Sequence, residues 1–206
     1  MTVTALAPDQ APLVTGLLCA AFFEYPVMRF VLGPSPAYAD RLRVLIGLFV
    51  TARILRGDLT LGIWAPDGRL GAGALVTLPG DRPPPDTLIE YREAVWHELG
   101  PEARTRYEAF GAAGQPFALE TPHHHLNMIG VSPAAQGQGL ARKLLDHIHG
   151  LAQADLGSAG VTLSTETRAN LALYRHFGYQ ETGYAQVATE LETWAFFRPR
   201  TVAAGT

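Results

Sequence analysis

An apolar strand pattern, Met128-Ile129-Gly130-Val131, stops at Ser132-Pro133 and passes through a glycine-rich loop into an amphipathic helical pattern that begins inside that loop. No other stretch constrains the chain as much. A strand that turns through glycines into a helix start aims several unpaired backbone N–H groups at one point. Without Cβ atoms at Gly137 and Gly139, an anion can lie against the main chain. Residues 136–141 therefore read as a pyrophosphate cradle. Their spacing is not that of a nucleotide P-loop, which ends in Lys-Ser/Thr. Nor is it the three-glycine dinucleotide turn with an acidic residue about twenty positions on. Taken alone, the loop could equally be a tight strand-to-helix turn.

The bulk properties narrow the field. The 206 residues are 48% hydrophobic and 17% charged, enough to bury the core of a single domain, 1–206. A net charge of −3 supplies no basic footprint for nucleic acid. The lone cysteine, Cys19, excludes an internal disulfide and a cysteine-based zinc finger. The first residues lack the basic and apolar regions of a signal peptide. The apolar stretch from Leu42 to Leu55 carries Arg43 and Arg53 and is too short to cross a bilayer. A cytoplasmic protein without a membrane partner is expected.

Periodicity and turn chemistry predict an ordered series of elements. Residues 2–6 read as a strand, and Asp9 as the cap of a helix over 10–23. Three prolines and a glycine make 24–36 an irregular connection. A helix over 37–56 is followed by strands at 59–64 and 70–78, a proline-rich loop, and helical patterns near 87–98 and 102–112. A long strand over 119–131 leads to the loop and a helix over 138–155. A strand at 161–165, a helix at 168–177 and a hairpin of 179–187 with 190–197 close the chain. This order predicts a mixed α/β sheet.

A second polar constellation follows the 161–165 strand. Asn170 and Tyr174 are four apart, hence on one helix face, and Gly178-Tyr179 ends that helix. Asn170 can bond an amide-rich ligand arm, and Tyr174 can donate a proton at its far end. On their own they could equally be a helix-end Asn and a packed Tyr.

Together the two constellations resemble the GNAT superfamily of acetyl-CoA-dependent acyltransferases, of the small-molecule type. The Gln/Arg-x-x-Gly-x-Gly/Ala signature stands as Gln136-Gly137-Gln138-Gly139-Leu140-Ala141, and Asn-x-x-x-Tyr-x-x-x-Gly-Phe/Tyr runs from Asn170 to Tyr179. Trp194–Pro199 is similar to the family's last strand, and Ala20–Val27 to its first helix.

The resemblance implies a mixed, mostly antiparallel central sheet, splayed between strands 4 and 5, with helices on both faces. An acceptor-side part would cover about 1–118, and the acetyl-CoA-binding core about 119–198. Main-chain groups of Gln136, Gly137, Gln138, Gly139, Leu140 and Ala141 would hold the pyrophosphate of acetyl-CoA, the co-substrate. Ile129 and Val131 would pair with the pantetheine as an extra strand. Asn170 would contact that arm, Tyr174 would protonate the leaving thiolate, and Arg142 could reach a phosphate. Tyr25, Phe22 and Phe30 lie where the family's acceptor pocket is lined. The reaction implied is direct attack of a small-molecule primary amine, with no acyl-enzyme and no role for Cys19. Homodimers are common on this fold, but no interface signature stands in the sequence.

The general base is less constrained. Strand alternation would place His123, His125, Asn127 and Val131 on one face, and His124, Leu126 and Met128 on the other. His125, six residues before Val131, stands where several family members carry a Glu or His base, and imidazole chemistry suits that task. Glu120, Glu90 and a water chain are rivals. Glu166 reads as a cap of the helix near 168. Alternation splits the three-His tract and leaves no carboxylate or Cys at ligand spacing, so no metal is expected. A CoA-binding sensor without catalysis and an enzyme using a larger acyl-CoA are the competing readings.

Overall fold

The computed structural model describes residues 1–201, so 202–206 of the expected domain lie outside the described residues. Seven strands form one sheet: β1 Val3–Ala5, β2 Leu59–Trp64, β3 Leu70–Thr77, β4 His124–Val131, β5 Gly160–Thr165, β6 Gln180–Ala188 and β7 Leu191–Pro199. Their spatial order is β1-β2-β3-β4-β5-β7-β6. Every neighbouring pair is antiparallel except β4 and β5, which run parallel. The expected mixed, mostly antiparallel sheet is therefore present.

Seven helices cover both faces: α1 Ala11–Phe22, α2 Pro26–Leu32, α3 Tyr38–Leu55, α4 Asp86–Leu99, α5 Pro101–Gly114, α6 Leu140–Ala154 and α7 Ala169–His176. One core joins α1 to α5 with the side chains of Leu75 and Met128. The other joins α6 and α7 with Val76, Leu126, Leu163 and Phe196. Leu144, Leu145 and Ile148 of α6 are fully or almost fully buried there, as its amphipathic pattern requires. Among the described residues, no single helix is long and apolar enough to cross a membrane.

Three expectations need correction. Residues 26–32 form a helix, because Pro26 stands at its first positions, where a missing N–H costs nothing. Asp9 does not cap α1: it lies inside a short 3-10 turn, Pro8–Gln10, and the Gln10 side chain instead accepts from the Ala7 amide at 2.8 Å. The strand before the loop begins at His124, not 119, since Gln115–Phe117 form another 3-10 turn and Pro122 interrupts the approach.

Two features of β4 position the site. Its ladder to β5 pairs His124 with Val161, His125 with Thr162 and Leu126 with Leu163, and then stops. Beyond Leu126 the two strands diverge, which is the expected splay. On its other edge, Leu126 pairs with Val76 but Met128 pairs with Leu75, so Asn127 is an extra, bulged residue. A bulge reverses the alternation of everything after it.

Candidate active site

The divergence of β4 and β5 opens onto a cavity of about 280 Å³. His125, Asn127 and Ile129 of β4, Ser164 and Glu166 at the end of β5, and Asn170 and Tyr174 of α7 line it from below. Phe22 of α1, Tyr25 and Met28 at α2, Phe49 and Arg53 of α3, and Tyr107 and Phe110 of α5 line it from above. Phe22 and Tyr25, expected at the acceptor pocket, thus both line this cavity. Phe30 packs against the α1–α3 core instead, and neither Phe30 nor Cys19 belongs to the cavity wall. Glu90 and Glu120 are exposed and outside that wall.

The β4 edge facing β5 has no strand partner after Leu126. Main-chain groups at Ile129 and Val131 are therefore available to an extended ligand arm. The bulge overturns the expected faces. His125 shares its side of the sheet with Met128, whose partner Leu75 lies in the α1–α3 core. Ile129 and Val131 share theirs with Leu126, toward α6. Asn127 is exposed, and its Oδ1 accepts from the Thr77 hydroxyl and from Arg53, each at 2.9 Å.

At the open end of β4 the chain makes a 3-10 turn, Pro133–Ala135, and enters α6, two residues later than expected. Gly137 and Gly139 have φ of 77° and 71°, the left-handed region, and a Cβ at either would stand in open space. Gln136, Gly137, Gln138 and Gly139 are all exposed, and Leu140 is buried as the anchor of the helix. The first turn of α6 carries no acidic side chain and no side-chain cap, so its unpaired amides are left to an anion. These residues fit a diphosphate. The Arg142 guanidinium rests 5.0 Å over the Phe177 ring, with Nη2 3.3 Å from His176, at the exposed junction of α6 and α7.

The Tyr174 ring is buried, wedged against Tyr179 and Phe196 at 5.8 Å from each. Burial, with Tyr25 and Glu166 nearby, raises its hydroxyl well above the ordinary phenol range, so it stays protonated. Asn170 donates to Thr165 Oγ1 at 3.1 Å. Tyr25 lies 3.0 Å from the same oxygen and accepts from the Glu166 amide at 3.2 Å.

His125 has Nδ1 2.8 Å from Thr162 Oγ1. Burial, reinforced by His123 and Arg53, lowers its pKa to about 4. It is neutral at physiological pH, yet it holds an accepted proton poorly. His124 is buried on Ser158 at 2.9 Å, and the more open His123 lies 2.7 Å from the Thr121 carbonyl oxygen.

Glu166 is not a helix cap: α7 starts after Arg168 without a side-chain cap bond. Its carboxyl turns inward, where Oε1 accepts from the Thr193 hydroxyl of β7 at 2.8 Å. Burial raises its pKa to about 7, against the opposing hydrogen bonds of Thr193, Tyr25 and Ser164. Sequence reasoning missed this residue. Its one local signal was its place at the end of the strand that borders the gap.

Comparison with known proteins agrees with this geometry. A family profile described as an acetyltransferase (GNAT) domain matches residues 102–181. The N-alpha-acetyltransferase RimI of Mycobacterium tuberculosis is 34% identical over 106 residues, which are 50% of this chain and 66% of that protein. A Corynebacterium glutamicum structure described as histone acetyltransferase HPA2 and related acetyltransferase superposes with a TM-score of 0.70 at 21% identity, covering 99% of this chain and 98% of the other. Arylalkylamine N-acetyltransferase 2 of Aedes aegypti superposes with a TM-score of 0.64 at 15% identity, covering 95% and 96%.

Proposed function

Because the chain belongs to the GNAT acetyltransferase superfamily, we propose that it moves acetyl from acetyl-CoA to the primary amine of a small molecule by direct attack. The observation that carries this reading is the gap past Leu126 and Leu163. It lies on the strand that leads into the glycine cradle before α6, and it opens onto the cavity lined by Tyr107 and Phe110 of α5.

The residues divide the work. The amides of 136–141 grip the diphosphate, while Ile129, Val131 and Asn170 hold the pantetheine along the unpaired edge of β4. Acetyl-CoA supplies an activated acyl group at the end of that arm. Residues before about 118 hold the acceptor, and the core from about 119 holds the co-substrate. The two reactants then meet in line, which removes the entropy of a bimolecular encounter. Tyr174, protonated and facing the cavity, supplies the proton for the departing sulfur.

A small acceptor is favoured by the helix that roofs one side of the cavity. α5 packs on α2 and on β6, and Tyr107 and Phe110 close the cavity on that side. The RimI relative is named an N-alpha-acetyltransferase, so the panel of acceptors includes peptides. The test is calorimetry with CoA, followed by thiol release from acetyl-CoA over a panel of small amines and peptides. CoA binding with transfer to small amines is the expected result. No heat at millimolar CoA would overturn the reading.

A further inference from the structure

A buried carboxylate is costly without a cation to face it. Glu166 is only 9% exposed, and none of the ion pairs among the described residues includes it. It is also the sole carboxylate in the cavity wall, so the space in front of it suits an ammonium group. Met28, Val31, Leu45, Phe49 and Phe110 give the upper wall a broad apolar surface. Tyr107 continues that surface, its ring 5.9 Å from Phe49 and 4.9 Å from Trp96. The one other full charge in the wall is Arg53, held by Asn127 at 2.9 Å and by Asp58 at 3.6 Å. A polycation would bring its second charge toward that guanidinium with no second anion to receive it.

We infer that Glu166 binds and deprotonates the ammonium of a monoamine carried on an aromatic or branched apolar body. The inference rests on the acyl-transfer reading above and names its acceptor class and its base. In the step, one N–H proton of the ammonium passes to the Glu166 carboxylate. The freed lone pair forms the C–N bond to the thioester carbonyl carbon, the C–S bond breaks, and the sulfur takes the Tyr174 proton. The acylated nitrogen loses its second proton, which restores the tyrosine through solvent. Glu166 releases its own proton to solvent. An ammonium and a thioester thus become an amide, a thiol and one proton.

The groups that face Glu166 leave it as the titrating one. Tyr25, at the start of α2, is pushed to about 12, mainly by burial, and Tyr174 of α7 is raised as well. Thr193 of β7 and Ser164 of β5 are neutral donors. With a carboxyl near 7, the base is close to the working pH, where proton transfer is most efficient.

The test compares 2-phenylethylamine, spermidine and a short peptide with a free N-terminal alanine as acceptors. Wild-type kcat/KM should favour 2-phenylethylamine by about tenfold or more and rise with pH through about 7. Glu166→Gln should lower it at least about 100-fold and abolish the rise, while CoA affinity stays within about twofold. Thr193→Val removes a bond that favours the charged carboxylate, so the rise should move to higher pH. Preference for spermidine or the peptide overturns the inference, as does a Glu166→Gln enzyme that keeps its rate and pH rise. A wild-type rise that Thr193→Val leaves in place also counts against it. If CoA binds and transfer occurs with the wrong acceptor, only this inference falls. If CoA does not bind, the acyl-transfer reading falls first.

Discussion

The Thr77 hydroxyl on β3 donates to Asn127 Oδ1 on β4 at 2.9 Å, across the point where β4 carries its extra residue. Arg53 of α3 donates to the same oxygen at 2.9 Å. The bulge is thus clamped from a strand and a helix, at the point where the β4–β5 ladder ends. Thr77→Val should cost about 1 kcal/mol of stability, the usual value of one such bond. It should also weaken CoA binding about tenfold, because the unpaired β4 edge loses its fixed direction. Urea unfolding and calorimetry check both numbers; unchanged affinity would separate the clamp from the binding edge.

Gly139→Ala should separate binding from folding. The residue sits at φ 71°, and an added Cβ meets nothing within 4 Å. The left-handed backbone costs a non-glycine residue about 1–2 kcal/mol, so the variant should fold with a modest drop in Tm. Its methyl group would stand in the cradle and weaken CoA binding by about tenfold or more. Gly160→Ala makes the contrast: there the Cβ would collide with the Arg198 carbonyl oxygen, and soluble yield should fall.

Tyr174→Phe should reduce kcat by about 10- to 100-fold, within the usual range for a proton donor. The ring contacts with Tyr179 and Phe196 survive the change, so stability and CoA affinity should hold. Pre-steady-state acetyl transfer measures the effect at the chemical step, and an unchanged rate would remove the acid role.

Acid should destabilise the fold as pH falls below about 6.5. Burial, the largest cause for each, lowers both His125 and His149 from 6.5 to about 4. The unfolded chain takes up these protons below about 6.5 and the folded chain does not. Stability is therefore full above that pH and lost as pH falls toward 4, by up to about 3 kcal/mol per histidine. Glu166 runs the other way: its carboxyl is raised to about 7, so its contribution is present below 4.5 and lost as pH rises through 7. Two histidines outweigh one carboxyl, and the urea midpoint should fall between pH 6.5 and 4.5. His149→Gln should flatten that slope.

The parts of the site written in consecutive residues were legible. The strand, glycine loop and helix at 128–145 form as their pattern requires, and Asn170 and Tyr174 reach the cavity from one face of α7. What depended on distant partners was not. The bulge at Asn127 has no local mark, since its side chain is a polar residue in an alternating strand. It is held by Thr77 and Arg53, 50 and 74 residues away. The raised pKa of Glu166 comes from burial and is opposed by hydrogen bonds with Tyr25 and Thr193, 141 and 27 residues away. Pro26 carried a signal of its own, a helix start, which two further prolines in the same stretch obscured.

The α4–α5 pair is a single excursion of chain between β3 and β4, and it returns to the sheet before the glycine loop begins. Through Tyr107 and Phe110 it decides what fits beneath it, while none of its residues lies in the 136–141 cradle. On the proposed reading, part of the choice of acceptor and the grip on the activated donor are thus written in separable stretches. Exchanging residues 86–114 for another hairpin should hand the molecule a new clientele and leave its fuel line untouched.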